Sequence, residues 1–100
     1  MQELNTERTV TLDSPLKRGE AVIESIAVRK PTSGALRGVR LQALMELDVN
    51  AVMVVLPRVT TPALTAAEVL ELDPADLVAL SVEVVTFLLP RSARQDSPLS

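Results

Sequence analysis

The chain has 100 residues, about the size of one domain, and 47% of them are hydrophobic although Phe87 is its one aromatic residue. It has no cysteine, which excludes disulfides, thiolate chemistry and cysteine-ligated zinc. The formal net charge of −3 is unevenly distributed, because residues 41–90 contain seven acidic groups and a single basic one, Arg58. The first 40 residues are mildly basic.

The ends and the apolar runs of the chain predict a soluble, cytoplasmic protein. Met1–Arg8 is polar and lacks the apolar core of a signal peptide. The longest apolar segment, Leu77–Leu89, is interrupted by Glu83 and is too short to cross a membrane as a helix.

Alternating polar and apolar residues predict a β-hairpin over residues 8–30. Arg8–Leu12 alternates in the manner of a strand. Asp13–Pro15 has the composition of a turn, and Lys17–Glu20 that of a polar loop, so we expect a connection longer than the tightest two-residue turns. Ala21–Lys30 predicts the second strand, and the apolar residues expected on one of its faces are Val22, Ile26 and Val28.

A helical part is predicted for residues 33–89, and its first helix follows Gly34. The apolar residues at roughly helical spacing there are Leu36, Val39, Leu41 and Leu44. Gly38 falls inside this helix, where glycine is unfavourable, so we expect close packing against another element.

The valine-rich segment Val49–Arg58 is ambiguous between helix and strand on local pattern. Asp48 can cap a helix at its start, and Pro57 favours a helix that stops or kinks near Leu56. The near absence of charge predicts burial on most sides.

Two strong helix-start signals lie within Thr61–Leu77. Thr65 and Glu68 have the spacing of a capping box. Asp73 stands before Pro74, and a further acid, Asp76, suits the positive end of the same helix. These signals predict a short helix at about Ala66–Leu72 and a longer helix at about Pro74–Leu89.

The predicted fold class is therefore α+β, with an N-terminal β-hairpin followed by a small bundle of about four helices. We expect residues 1–90 to form one domain. The polar residues 91–100 are expected to form a flexible C-terminal tail.

No set of residues predicts catalysis, a metal or a cofactor. Asp73 and Asp76 could be read as a metal pair, but capping explains both and the remaining oxygen ligands are missing. Glu68 and Glu71 could be read as an acid/base pair, but a capping box and a solvated helix face explain them more simply. We therefore predict that the chain is not an enzyme.

A basic cluster raises the alternative of nucleic-acid binding. Its members are Arg29, Lys30, Arg37 and Arg40. No aromatic residue accompanies them for base stacking, and the helices that follow are acidic. Leu36–Leu44 and Asp48–Arg58 could also be read as a helix-turn-helix, but the would-be recognition helix is almost wholly apolar. A solvated surface or a protein interface fits this cluster better.

The order of motifs resembles the Mu-like phage tail assembly chaperone family of contractile-tailed phages and prophages, the group labelled E, 41 or 14. The resemblance spans about Val10 to Leu89. The motifs that carry it are, in order, VTLDSPL, IESIAVRKPTSGALRG and TPALTAAEVLELDPADLVALSVEVVTFL.

This resemblance implies a function that depends on surfaces. Such chaperones escort the tape measure protein while tail tube subunits polymerise around it, in the cytoplasm of the bacterial host, and are absent from the mature particle. They commonly occur in two lengths through a translational frameshift, so a longer form and self-association are expected. A structural tail or baseplate subunit and a small DNA-binding regulator remain alternatives.

We expect the tape measure protein to bind an apolar groove between helices. Val49–Leu56 and one face of Pro74–Leu89 would form the core and border this groove. The candidate partner-binding residues are Leu36, Arg37, Arg40, Leu41, Leu44, Val52 and Val55.

Overall fold

The structure is a computed structural model that describes residues 7–89. Within that range an antiparallel sheet in the order β1-β2-β3 is combined with four α-helices, of which the second and the fourth pack against it, and this is the predicted α+β class. The tail predicted for residues 91–100 lies outside the described residues. The strands are β1 (Glu7–Arg18), β2 (Ala21–Arg29) and β3 (Thr60–Thr61), and the α-helices are α1 (Leu41–Met45), α2 (Val49–Val59), α3 (Ala66–Glu71) and α4 (Pro74–Leu88).

The hairpin has a tighter connection than its sequence predicts. Arg18 pairs with Ala21, which leaves Gly19 and Glu20 as a two-residue loop. Gly19 has φ +61°, and glycine with positive φ is favoured at the first position of a type II′ turn. The prediction of a longer loop is therefore wrong, because β1 runs on to Arg18.

A large bulge interrupts the pairing of β1 with β2. Thr11 pairs with Ser25 and Leu16 with Ile23, so residues 12–15 of β1 stand opposite a single residue of β2. The predicted turn at Asp13–Pro15 lies within this bulge. A bulge increases local twist and breaks the alternation of faces, which explains why Ile23 is buried while Val22 is exposed, contrary to the prediction for Val22.

The first predicted helix is two short pieces. A 3₁₀ turn covers Ser33–Leu36, and α1 begins only at Leu41. Gly38 between them has φ +82°, a conformation that ends helices. No atom lies within 4 Å of the position that a Cβ on Gly38 would occupy. The expectation of close packing is wrong. Glycine suits this position because the backbone has a positive φ there.

Helix α2 resolves the ambiguity of the valine-rich segment. The Asp48 carboxylate caps it by accepting a hydrogen bond from the Ala51 amide at 3.1 Å. The helix continues through Pro57 to Val59, so of the two expectations, a stop or a kink near Leu56, the stop is wrong. Thr60 and Thr61 then pair with β2 as a strand that the sequence pattern does not reveal.

Helices α3 and α4 begin where the capping signals place them. Thr65 and Glu68 form a reciprocal capping box, and Asp73 accepts from the Ala75 amide at 2.9 Å. The helices end within one residue of the predicted positions.

The core lies between the sheet and the helices and is made of aliphatic side chains together with Phe87. Its most deeply buried large members are Ile26, Val28, Leu44, Val52, Val55, Leu56, Leu80 and Val84.

Asp76 joins helix α4 to the bulge of β1. Its side chain is 2% exposed, and its carboxylate accepts hydrogen bonds from the backbone amides of Asp13 at 2.7 Å and Ser14 at 3.0 Å. The Ser14 hydroxyl also donates to Asp73 at 3.1 Å. Asp76 lies in the first turn of α4, as predicted for an acid at the positive end of the helix. It also binds two strand amides that the sequence pattern does not reveal, because the bulge deprives them of partners in the sheet.

We expect Gly38→Ala to lower the free energy of unfolding by about 1 kcal/mol, because an L-residue is strained at this φ. Gly34→Ala is the matched control, since Gly34 lies outside the left-handed region and its Cβ would meet only ordinary contacts. Urea unfolding measures both. Equal effects of the two substitutions would contradict the role assigned to Gly38.

We expect Asp76→Asn to lower the free energy of unfolding by about 2 kcal/mol, because an amide group replaces one acceptor oxygen with a donor that faces a backbone N–H. Asp73→Asn is the control, since asparagine is an equally good N-cap. Urea unfolding and hydrogen exchange at the Asp13 and Ser14 amides are the measurements. Unchanged exchange at both amides would contradict the assignment.

Candidate partner-binding surface

The described residues include large apolar side chains that the core does not use. They form two short rows, one on α1 and one on α4, because residues four apart share a helix face. The remaining members are one residue on β2, two on α2 and one on α3. The full set is Val22, Leu41, Met45, Val49, Val54, Leu70, Val78 and Val82.

An apolar groove lies between the start of α2 and the N-terminal half of α4. Its volume is about 60 Å³, and it is lined by Leu47, Val49, Val52, Leu77, Val78 and Ser81. The hydroxyl of Ser81 donates to the Leu77 carbonyl at 2.7 Å. Since this polar group is already satisfied within its own helix, the groove presents mainly aliphatic surface.

Leu47 lines this groove in an unusual backbone conformation. It follows α1 with φ 61°, which is uncommon for a leucine and costs roughly 1–2 kcal/mol. Hydrogen bonds from the Leu47 amide to Leu44 and from the Asp48 amide to Ala43, both 2.9 Å, hold this turn. The turn aligns α1 with the capped start of α2.

The structure divides the predicted partner-binding residues into two groups. Leu44 on α1 and Val52 and Val55 on α2 are buried in the core, because they lie on the inward faces of their helices. Val52 also reaches the groove floor. Leu44 and Val55 are therefore replaced in the candidate surface by residues exposed to solvent.

The other four predicted residues are accessible. Leu36 is half-buried, and Arg37, Arg40 and Leu41 are exposed. The candidate residues predicted from the sequence do not include Met45, Val49, Val78 and Val82, although the last three lie in segments expected to border the groove. For Met45, Val78 and Val82 the available signal was the four-residue spacing of Leu41 with Met45 and of Val78 with Val82, outside the buried stripe of each helix.

The Arg58 side chain stabilises, through hydrogen bonds, the backbone of the segment that contains Arg37. Its guanidinium donates to the carbonyls of Ala35 at 3.0 Å and Arg37 at 2.8 Å. Arg29 in turn donates to the Arg58 carbonyl at 2.9 Å. Part of the basic cluster therefore has a structural role, whereas the Arg37 side chain is exposed at the surface.

Glu68 forms an ion pair with Arg18 of the hairpin. The Arg18 guanidinium donates to both carboxylate oxygens, at 2.6 and 2.8 Å, and to the Ala63 carbonyl at 2.9 Å. This pair and the Thr65 amide lower the pKa of Glu68 from 4.5 to about 2, and the pair raises the pKa of Arg18. A carboxyl group with so low a pKa is a poor proton donor near neutral pH.

Residues 7–89 place no three carboxylates together in a way that could hold a metal ion. Among the same residues, no helix is both long and apolar enough to cross a membrane.

An α+β scaffold that exposes an apolar groove and two rows of aliphatic side chains defines a class of small proteins built for contact with another chain. Residues 9–89 match the family described as phage tail assembly chaperone proteins, E, or 41 or 14, and the chain belongs to this family.

Two curated relatives come from Escherichia phage P2. Tail assembly protein E is 50% identical over 91 residues, which cover 91% of this chain and all of the relative. Tail assembly protein E′ is 51% identical over 86 residues, which cover 86% of this chain and 61% of that longer relative. No solved structure matches the chain.

The Arg18–Glu68 pair predicts a specific loss of stability in acid. Above pH 4.5 Glu68 is ionised in both states, so the full stabilisation is present; it is lost as pH falls through the folded pKa of about 2. We expect Glu68→Gln, which can retain the capping box, to flatten this part of the stability–pH curve. Urea unfolding between these pH values tests it.

Glu71→Gln provides the control, since it removes a carboxylate from the same helix but not from the ion pair. An acid dependence that is unchanged by Glu68→Gln and abolished by Glu71→Gln would contradict the assignment.

Proposed function

We propose that this tail assembly chaperone binds the tape measure protein, helps to recruit tail tube subunits and leaves before the particle is complete. It acts by contact and without catalysis, in the cytoplasm of the bacterial host. The observation that carries the proposal is the exposed aliphatic surface on α1, α2 and α4 of a small acidic protein.

The chemistry of this surface suits a long helical partner. The family resemblance implies that a tape measure protein still without its tube exposes amphipathic helices, which would aggregate through their apolar faces. The rows Leu41/Met45 and Val78/Val82 offer replacement apolar contacts. The excess of acidic groups in residues 41–90 would keep the complex in solution by charge repulsion.

A longer form of the chain is part of the proposal. The P2 proteins E and E′ differ in length, yet both align with most of this chain at nearly equal identity. This pattern supports a shared chaperone domain with an extension in one product, such as a translational frameshift would add. Self-association of the shared domain would then bring both forms to one tape measure.

Co-expression with the tape measure protein of the same genome tests the proposal. The unmodified chain should keep that protein in the soluble fraction and copurify with it. Leu41→Ser combined with Met45→Ser and Val82→Ser should weaken the complex at least about tenfold, about 1.4 kcal/mol. Leu70→Ser is the control, because Leu70 is exposed on α3, away from these rows.

A second arm reverses the charges of Arg37 and Arg40 to glutamate, which tests whether this exposed basic pair contributes. The proposal is overturned if the tape measure protein stays equally soluble without the chain. A stoichiometric amount of the chain in purified tails would instead indicate a structural subunit. Salt-dependent binding to random duplex DNA would indicate a nucleic-acid regulator.

A further inference from the structure

We propose that the groove between α2 and α4 binds the apolar face of an amphipathic helix whose flanks carry lysine or arginine. This inference rests on the proposed function, because it assigns a binding mode and a partner chemistry to the chaperone surface. Neither the family description nor the names of the relatives specify such a site.

The shape and lining of the groove favour an apolar side chain from a helix. Val49 of α2 and Val78 of α4 both line it and are 52% and 53% exposed, while Val52 and Leu77 are more buried. The Ser81 hydroxyl is occupied by its own helix. A partner gains by burying aliphatic groups here, and no polar side chain of the lining demands a hydrogen bond.

Leu47 supplies an observation that is independent of exposure. Glycine or asparagine would fit its left-handed backbone conformation with less strain, yet the position holds a leucine whose side chain lines the groove. Strained backbone is often found where a side chain is needed for function. The strain is explained if the leucine side chain is needed for contact with a partner.

Acidic residues at the rim of the groove, Glu46 and Asp48, favour a partner helix with basic residues beside its apolar face. Glu46 and Asp48 are exposed on either side of Leu47. The sole basic residue of the described segment 41–89 is Arg58, which lies at the opposite end of α2 and donates to main-chain carbonyls. A helix with basic flanks is therefore attracted to this rim, and a helix with acidic flanks is repelled.

The test uses two fluorescent amphipathic helical peptides with the same leucine-rich apolar face. One has lysines on both flanks and the other has glutamates at those positions. Titration with the full chain should give saturable binding of the lysine peptide and at least about tenfold weaker binding of the glutamate peptide. The preference should shrink as salt screens the rim.

Substitutions then locate the site. Val49→Ser and Val78→Ser should each weaken lysine-peptide binding about tenfold. Val54→Ser is the matched control, because Val54 is the same residue type on the same helix, 41% exposed and absent from the groove lining. Circular dichroism should show an unchanged fold for all three variants.

Two further variants test the role of the Leu47 side chain and the role of the two acidic rim residues in binding, apart from any effect on folding. Leu47→Asn should bind the lysine peptide about tenfold more weakly while the melting temperature stays level or rises, since asparagine tolerates this conformation. Glu46→Gln combined with Asp48→Ser removes both rim charges but retains a capping residue, and should abolish the preference for lysine flanks.

The inference is overturned if neither peptide binds, if both bind equally at low salt, or if Val54→Ser matches Val49→Ser. It is also overturned if Val49→Ser and Val78→Ser convert a dimer into a monomer, because a second copy then occupies the groove. If peptide binding fails while the chain still solubilises the tape measure protein, the groove assignment falls and the proposed function stands. The reverse result removes the proposed function and leaves the groove.

Discussion

The buried carboxylate of Asp76 connects the hairpin to the helices, and much of the molecule depends on this contact. The bulge in β1 leaves the amides of Asp13 and Ser14 without partners in the sheet, and α4 brings an acceptor to them at the positive end of the helix. The start of α4 is thereby fixed against the sheet. Leu77 and Val78 follow immediately, so the same contact positions one wall of the groove.

Features encoded over a few residues could be predicted from the sequence. The capping box of Thr65 and Glu68 and the Asp73–Pro74 start are such features, because donor and acceptor lie within three residues of each other. The partners of Asp76 lie 62 and 63 residues away, so no local pattern reveals them. Strand β3 was missed for the same reason: it has two residues, and only its pairing with β2 makes it a strand.

The candidate site was harder to predict than the fold. Valines dominate α2 on both its buried and its exposed sides, so hydrophobicity alone does not distinguish Val55, which is buried, from Val49, which is exposed. The orientation of the helix depends on the neighbouring Leu47 turn and on α4. A domain with one aromatic residue builds its core from small aliphatic contacts, and the same residue types remain on its surface. The chain belongs to the tail assembly chaperone family, and the function proposed above uses that surface.

We propose that the chain works through the exposed aliphatic surface of α1, α2 and α4. Methyl NMR of the full chain, titrated with the soluble complex-forming region of the tape measure protein, measures this contact residue by residue. We expect shift changes to concentrate on the methyl groups of Leu47, Val49, Val78 and Val82, and to spare those of Val22, Val54 and Leu70. Changes centred on Val22 or Leu70, with the groove methyl groups unaffected, would contradict it.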